Sequence, residues 1–223
     1  ITAPDGSRKP RDTEVLIASP RMARGTFVAL EGLDGSGTST QAGALAEALR
    51  ARGHTVHATH QPSSGSIGTQ ARALLKRKDA PVDPRVLALL FAADRLDHHA
   101  REIEPALGRG DVVLCDRYVM SSWVYQSLDC PQAWVETINE HAPWPDATFV
   151  LTIGASETTA RVHARTPEHA REIYETEAIQ RRVEAGYVAA LERQLPGVHA
   201  IDGTAPIEAV TAALLEACIA RGL

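Results

Sequence analysis

Thr26-Phe27-Val28-Ala29-Leu30-Glu31-Gly32-Leu33-Asp34-Gly35-Ser36-Gly37-Thr38-Ser39-Thr40 is an apolar, β-favouring run that breaks into a glycine-dense turn. Gly32 and Gly37 are separated by four residues and Ser39 follows, which is the spacing of a phosphate-binding loop with one mismatch. Thr38 stands where that pattern carries lysine. The spacing Gly-x4-Gly-x-Ser/Thr recurs by chance in about one chain in eight of this size, so its setting has to carry the reading. A buried-type strand precedes the turn, and a run of good helix formers, Gln41 to Arg50, follows it and stops at Gly53. Backbone N–H groups in such a turn form an anion-binding concavity, and the amide end of the next helix points at the same spot. Gly32, Gly35, Ser36, Gly37, Thr38, Ser39 and Thr40 are therefore expected to hold a nucleotide phosphate, with the Ser39 hydroxyl offered to Mg2+.

Beyond this stretch, short β-favouring runs alternate with longer helical patterns, the signature of βαβ units and a parallel sheet covered by helices. Strands are expected over Thr26–Glu31, Thr55–His60, Asp111–Asp116, Ala147–Ile153 and Val198–Ile201. Asp83-Pro84 reads as the cap and first turn of a helix reaching toward Leu107, and a second long helix is expected from Glu172 to Leu195, ahead of Pro196-Gly197. The result is a three-layer α/β domain. Asp116-Arg117-Tyr118 closes the apolar run Val112-Val113-Leu114-Cys115 at a strand's carboxyl end, where ligands bind in open α/β sheets. An aspartate there can hold the water shell of Mg2+ and an arginine can fork onto a phosphate, although by itself Asp-Arg is an ordinary surface pair.

The chain has 223 residues, 44% of them hydrophobic and 23% charged, the balance of a globular protein with a sizeable core. No apolar stretch approaches the length of a membrane span. A net charge of -5 gives no basic footprint for a nucleic-acid polymer. Three cysteines, Cys115, Cys130 and Cys218, lack metal-ligand spacing and leave an odd thiol, which fits a reducing interior and makes the cytoplasm the expected compartment. Residues 1–24 have no sustained apolar period and no secretory-signal pattern, and are expected to form a flexible extension, with Met22 as the natural start and the domain proper over 25–223.

In this order the motifs resemble those of the thymidylate kinase family, from about Gly25 to the C-terminus. The resemblance implies a P-loop NTPase fold, a five-stranded parallel sheet flanked by helices with a small lid, and transfer of the γ-phosphoryl group of ATP to dTMP with Mg2+, a step in dTTP synthesis. Asp34 matches the acidic residue that contacts the acceptor's 3′-hydroxyl. Leu90-Phe91-Ala92-Ala93-Asp94-Arg95 is similar to the family's Phe-x-x-x-Arg block, in which the aromatic stacks on thymine and the arginine bonds its carbonyl oxygen. Positions four apart share a helix face, so the spacing suits a grip on plane and edge, whereas Phe91 alone would read as a core aromatic. Asp116-Arg117-Tyr118 with Ser121-Ser122-Trp123-Val124-Tyr125-Gln126 looks like the family's signature stretch. There Asp116 and Arg117 serve Mg2+ and phosphate, Ser122 and Gln126 read the thymine edge, and Tyr125 crowds a ribose 2′-hydroxyl.

Arg161, Arg165 and Arg171 lie in a basic, loop-like segment, about 160–172, that resembles the lid of nucleoside monophosphate kinases; its bland reading is a solvated helix end. Family members with glycine at the Gly35 position carry their catalytic charge in the lid, which makes Arg165 and Arg171 the expected catalytic partners of Arg117 and Asp116, and Arg161 a nucleotide contact. An uncompensated lysine-to-threonine change would cost on the order of 10- to 150-fold in transition-state stabilisation. Where many relatives have Arg-Glu-Pro after the second strand, this chain has His60-Gln61-Pro62, and Arg72 matches a second phosphate-contacting arginine. Ile201-Asp202-Gly203-Thr204 looks like the segment that cradles adenine. Relatives act as homodimers. Two other readings stand beside this one: a kinase of a different or modified nucleoside monophosphate, and a nucleotide-binding protein without transfer activity.

Overall fold

The computed structural model describes residues 24–77, 81–170 and 172–223. Met22 and Arg171, named above, lie outside them. Five strands, β1 (Phe27–Gly32), β2 (Val56–His60), β3 (Val112–Asp116), β4 (Ala147–Thr152) and β5 (Val198–Asp202), form one sheet in the order β2-β3-β1-β4-β5 with every pairing parallel. Each strand falls within a residue of its expected limits.

The three central strands are buried on both faces except at the carboxyl tips of β3 and β4, while edge strands β2 and β5 are only partly covered. Side chains alternate across β1, so Val28 and Leu30 meet Leu45 and Leu49 of α1 (Thr38–Arg50) on one face. Phe27 and Ala29 pack with Ile103, Leu107 and Tyr118 on the other. A third cluster joins Met120 and Val124 of α5 (Val119–Tyr125) to Val183 and Tyr187 of α8 (Glu177–Glu192).

Two expected helices are adjusted. Asp83 does cap α3 (Pro84–His98), accepting from the Arg85 amide at 2.9 Å, but the path to Leu107 passes through a π-helical turn, His99–Ile103, before α4 (Glu104–Gly108). Pro105 lacks an N–H and crowds the carbonyl four residues back, and the wider turn relieves that conflict. The second helix begins at Glu177 rather than Glu172, because the Thr176 hydroxyl caps the Ile179 amide and residues 172–176 turn back on themselves, the Glu172 amide donating to the Glu175 carboxylate. The first part of the lid segment is likewise helical, within α7 (Ala155–Arg165). Among the described residues no helix is long and apolar enough to cross a membrane.

Glu31, 0% exposed in the middle of the sheet, accepts from the amides of Tyr118 (2.8 Å) and Ser121 (3.1 Å) and from the hydroxyls of Ser121 (2.5 Å) and Tyr187 (3.0 Å). It thereby satisfies the orphan amides at the start of α5. Glu31→Ala leaves them buried without acceptors, and is expected to cost about 3 kcal/mol, or ~6–12 °C in Tm. Thermal denaturation measures this, and a Tm within about 2 °C of the native value would refute it.

Candidate active site

Parallel pairing sets the carboxyl ends of β1 and β3 side by side, Leu30 opposite Asp116, at the point where the chain's crossovers diverge to either side of β1. The glycine-rich turn leaves β1 there and enters α1 directly. Gly37 precedes the helix with φ 93°, and no side chain caps α1, so its first amides face the cleft without intrahelical partners. Gly35 has φ 88°, and a Cβ on it would stand 2.5 Å from the Thr158 carbonyl oxygen, so the turn and α7 touch backbone to backbone.

A cleft of about 800 Å3 opens over this turn, within the range of small-molecule sites. Gly35, Gly37, Thr38, Ser39 and Thr40 line its phosphate end; Gly32 and Ser36 lie behind. The Ser39 hydroxyl donates to Asp116 Oδ2, while Asp116 Oδ1 is buried with no partner. Among the described residues no group of three or more histidine, cysteine or acidic side chains could cage a metal. One carboxylate, one hydroxyl and an unfilled acceptor oxygen instead suit Mg2+, which keeps waters and phosphate oxygens in its shell.

Arg117 follows Asp116 in a left-handed conformation, φ 67°. Its guanidinium donates to Asp34 Oδ1 at 2.7 Å and to the Gly32 carbonyl at 2.8 Å, and lies 5.2 Å from the centre of the Tyr125 ring. Burial works against its charge, but Tyr125 and the Asp34 carboxylate outweigh that, so its pKa stands well above the usual arginine value. Asp34 is shared: Gln180 of α8 donates to its Oδ2 at 2.9 Å and accepts from its amide.

The opposite end of the cleft is lined by Arg72, Phe91, Arg95, Ser122, Tyr125 and Gln126. Phe91 is half-buried and belongs to none of the core clusters, so its ring is a wall of the cleft. Arg95 is 1% exposed and donates to Gln61 Oε1 (3.0 Å), the Tyr118 carbonyl (3.0 Å), Ser122 Oγ (3.0 Å) and Asn139 Oδ1. Four bonds from five N–H groups leave one donor for a bound acceptor.

The lid arginines separate. Arg165 lines the cleft and has no partner among the described residues, whereas Arg161 pairs with Glu157 at 2.6 Å on the exposed side of α7 and does not line it. Sequence reasoning missed Glu31, Gln61, Gln180 and the trio Glu172, Tyr174 and Glu175, which reach the cleft from the turn after α7. Glu31 carried a signal, a charged residue ending an apolar strand; the others carried none. Burial raises the pKa of Glu172 despite nearby Arg72, and pushes Tyr174 up to about 12.

Residues 30–214 match the family model described as thymidylate kinase. A protein named "Probable thymidylate kinase" from Pyrobaculum aerophilum is 40% identical over 85% of this chain and 94% of its own length. Thymidylate kinases of Bordetella petrii and Thermomicrobium roseum are 37% and 36% identical, over 86% and 84% of this chain and 94% and 91% of theirs.

Asp116→Asn keeps an acceptor for Ser39 but removes the charge beside it. Magnesium-dependent affinity for ADP is expected to fall by about tenfold or more, with affinity in EDTA unchanged, measured by calorimetric titration. Equal magnesium dependence in the two proteins would exclude Asp116 as a metal ligand.

Proposed function

The chain belongs to the thymidylate kinase family, and from that membership and the geometry of its cleft we propose that it transfers the γ-phosphoryl group of ATP to dTMP, giving dTDP and ADP. The supporting observation is that a phosphate-binding turn, an aspartate with an unfilled oxygen, and an aromatic–arginine–serine set all line one cleft. A dTMP phosphate oxygen attacks the γ-phosphorus, and the bond to the β–γ bridging oxygen breaks, releasing ADP. No general base is needed, because the attacking oxygen is already anionic, so positioning and charge neutralisation do the work.

Loop amides and the start of α1 hold the donor phosphates, and Arg117 and Arg72 hold the acceptor phosphate. Phe91 stacks on the base, Arg95, Ser122 and Gln126 read its edge, Asp34 takes the 3′-hydroxyl, and Tyr125 crowds the 2′ position. Ser39 and Asp116 would hold Mg2+, which would supply neutralisation of the donor's phosphate charge. Thr38 is neutral and 5% exposed, so the positive charge of the absent lysine has to come from arginine. Arg165, which lines the cleft with no partner among the described residues, supplies it in this reading, together with Arg171.

The proposal extends to a cytoplasmic homodimer. Val86, Leu89 and Leu96 are 47%, 50% and 42% exposed on one face of α3, an apolar stripe suited to packing against its copy. Sedimentation of Leu89→Glu is expected to give monomer where the native chain gives dimer; a monomeric native chain would rule the dimer out.

ADP release with dTMP, dUMP, dCMP and dGMP tests the activity, and dTMP is expected to be turned over fastest. Arg165→Gln is expected to lower kcat by about 10- to 150-fold, and Thr38→Lys to restore more in that background than it adds to the native chain. Tight ATP binding with no turnover of any acceptor would leave a nucleotide-binding protein without transfer, and equal turnover of the four would defeat the thymine assignment.

A further inference from the structure

Along one wall of the cleft, a line of polar side chains runs from Glu102, through Thr59, His98 and Gln61, to Arg95. Glu102 Oε1 accepts from the Thr59 hydroxyl at 2.7 Å, Thr59 Oγ1 lies 2.9 Å from His98 Nε2, His98 Nδ1 lies 3.2 Å from Gln61 Nε2, and Gln61 Oε1 accepts from Arg95 Nε at 3.0 Å. His98, Gln61 and Arg95 are 3%, 5% and 1% exposed. His98 does not line the cleft.

The chemistry allows one arrangement of protons. Arg95 Nε–H can only donate, so Gln61 must turn its carbonyl oxygen toward it and its NH2 group toward His98. His98 Nδ1 must then be bare and its proton must sit on Nε2, where it donates to Thr59, whose hydroxyl donates to Glu102. Every donor meets an acceptor, and the neutral form of His98 is part of the pattern.

We propose that His98 is a positioning residue for the Arg95 guanidinium, acting through the Gln61 amide, and that recognition of the acceptor base depends on His98 staying neutral. The second half rests on the acceptor reading above; the first does not. Protonation of Nδ1 would set two donors face to face. If the Gln61 amide then rotates to give its oxygen to His98, its NH2 meets the Arg95 N–H instead, and Arg95 loses one of the bonds that aim it.

The titratable groups around His98 are Glu102 on the π-helical turn, His57 on β2, which lies 2.9 Å from the Glu102 oxygen that Thr59 meets, Asp94 one turn earlier on α3, His60 on β2 and, through Gln61, Arg95. Burial lowers the His98 pKa below its ordinary value of 6.5, Glu102 and Asp94 oppose this, and His60 adds to it. The neutral form therefore holds at neutral pH, and the coupling is lost as pH falls through a midpoint below 6.5. Gln61 is suited to the task in a way that glutamate is not: a carboxylate would accept from Arg95 but could not donate to a bare Nδ1, and would favour His98 protonated.

Nitrogen-resolved NMR of the full chain without ligand follows the Arg95 Nε–H and the His98 ring together. The Arg95 resonance is expected to shift with the His98 midpoint, to lose that dependence in His98→Asn, which keeps an acceptor near the Nδ1 position, and to titrate at higher pH in Gln61→Glu. In kinetics, His98→Leu is expected to raise the KM for dTMP about tenfold with kcat and the KM for ATP within about twofold, and His98→Asn to recover most of the loss. The native chain's KM divided by that of His98→Asn, taken across pH, cancels ionisation of the acceptor's own phosphate and should rise on the acid side. An Arg95 resonance indifferent to His98 titration, or a native KM in His98→Leu, would overturn the inference. Absence of dTMP turnover in the native chain would overturn the acceptor reading, while the resonance titration would still decide the coupling.

Discussion

The Glu31 carboxylate, with no access to water, sets where one half of the cleft stands relative to the other. It sits on β1, two residues before the turn begins in earnest, and takes the first amides of α5 together with the Ser121 and Tyr187 hydroxyls. Buried acceptors of this kind tolerate no drift, since a donor that leaves becomes an unsatisfied polar group. Helix α5 carries Ser122 and Tyr125, and the carbonyl of Tyr118 just ahead of it accepts from Arg95. One carboxylate thus ties the strand that feeds the glycine-rich turn to the helix that lines the opposite end of the cleft.

Charge in the cleft is distributed differently from what a lysine-bearing turn would give. Thr38 offers no charge, and among the described residues the arginines and lysines that line the cavity are Arg72, Arg95, Arg117 and Arg165. Arg95 and Arg117 are heavily committed to protein acceptors, which makes them rigid; Arg165 has no partner among the described residues, which leaves its charge available. The positions differ in kind: fixed forks suit recognition of a base edge or a bound phosphate, whereas a free one suits a group that moves during transfer.

The helices on either side of residues 166–176, α7 and α8, reach the glycine-rich turn at two points. The Gly35 backbone lies against the Thr158 carbonyl of α7, and Gln180 of α8 holds Asp34 by both its amide and its carboxylate. Between those helices in sequence, Glu172, Tyr174 and Glu175 stand at the cleft wall. Because Asp34 also pairs with Arg117, the helix after the lid, the turn and the end of β3 meet at one side chain.

Local patterning made most of the fold legible. Short β-favouring runs gave all five strands, and the glycine spacing after β1 marked the turn whose amides face the cleft, because such features depend on residues adjacent in the chain. The placement of Asp116 beside Ser39 was legible too, since the turn that follows β1 into α1 and the end of β3 open on the same edge of the sheet. Three departures arose from local features that the pattern of apolar runs does not display: Pro105 forced a wider turn into the helix running to Gly108, Thr176 captured the start of α8, and Arg161, four residues from Glu157 on an outer face, went to a surface ion pair instead of the cleft. Only tertiary packing decided the contacts of Gln61, Gln180 and His98: each is an ordinary polar residue until residues tens to more than a hundred positions apart are brought within hydrogen-bonding distance, and burial then dictates which atom must donate and which must accept.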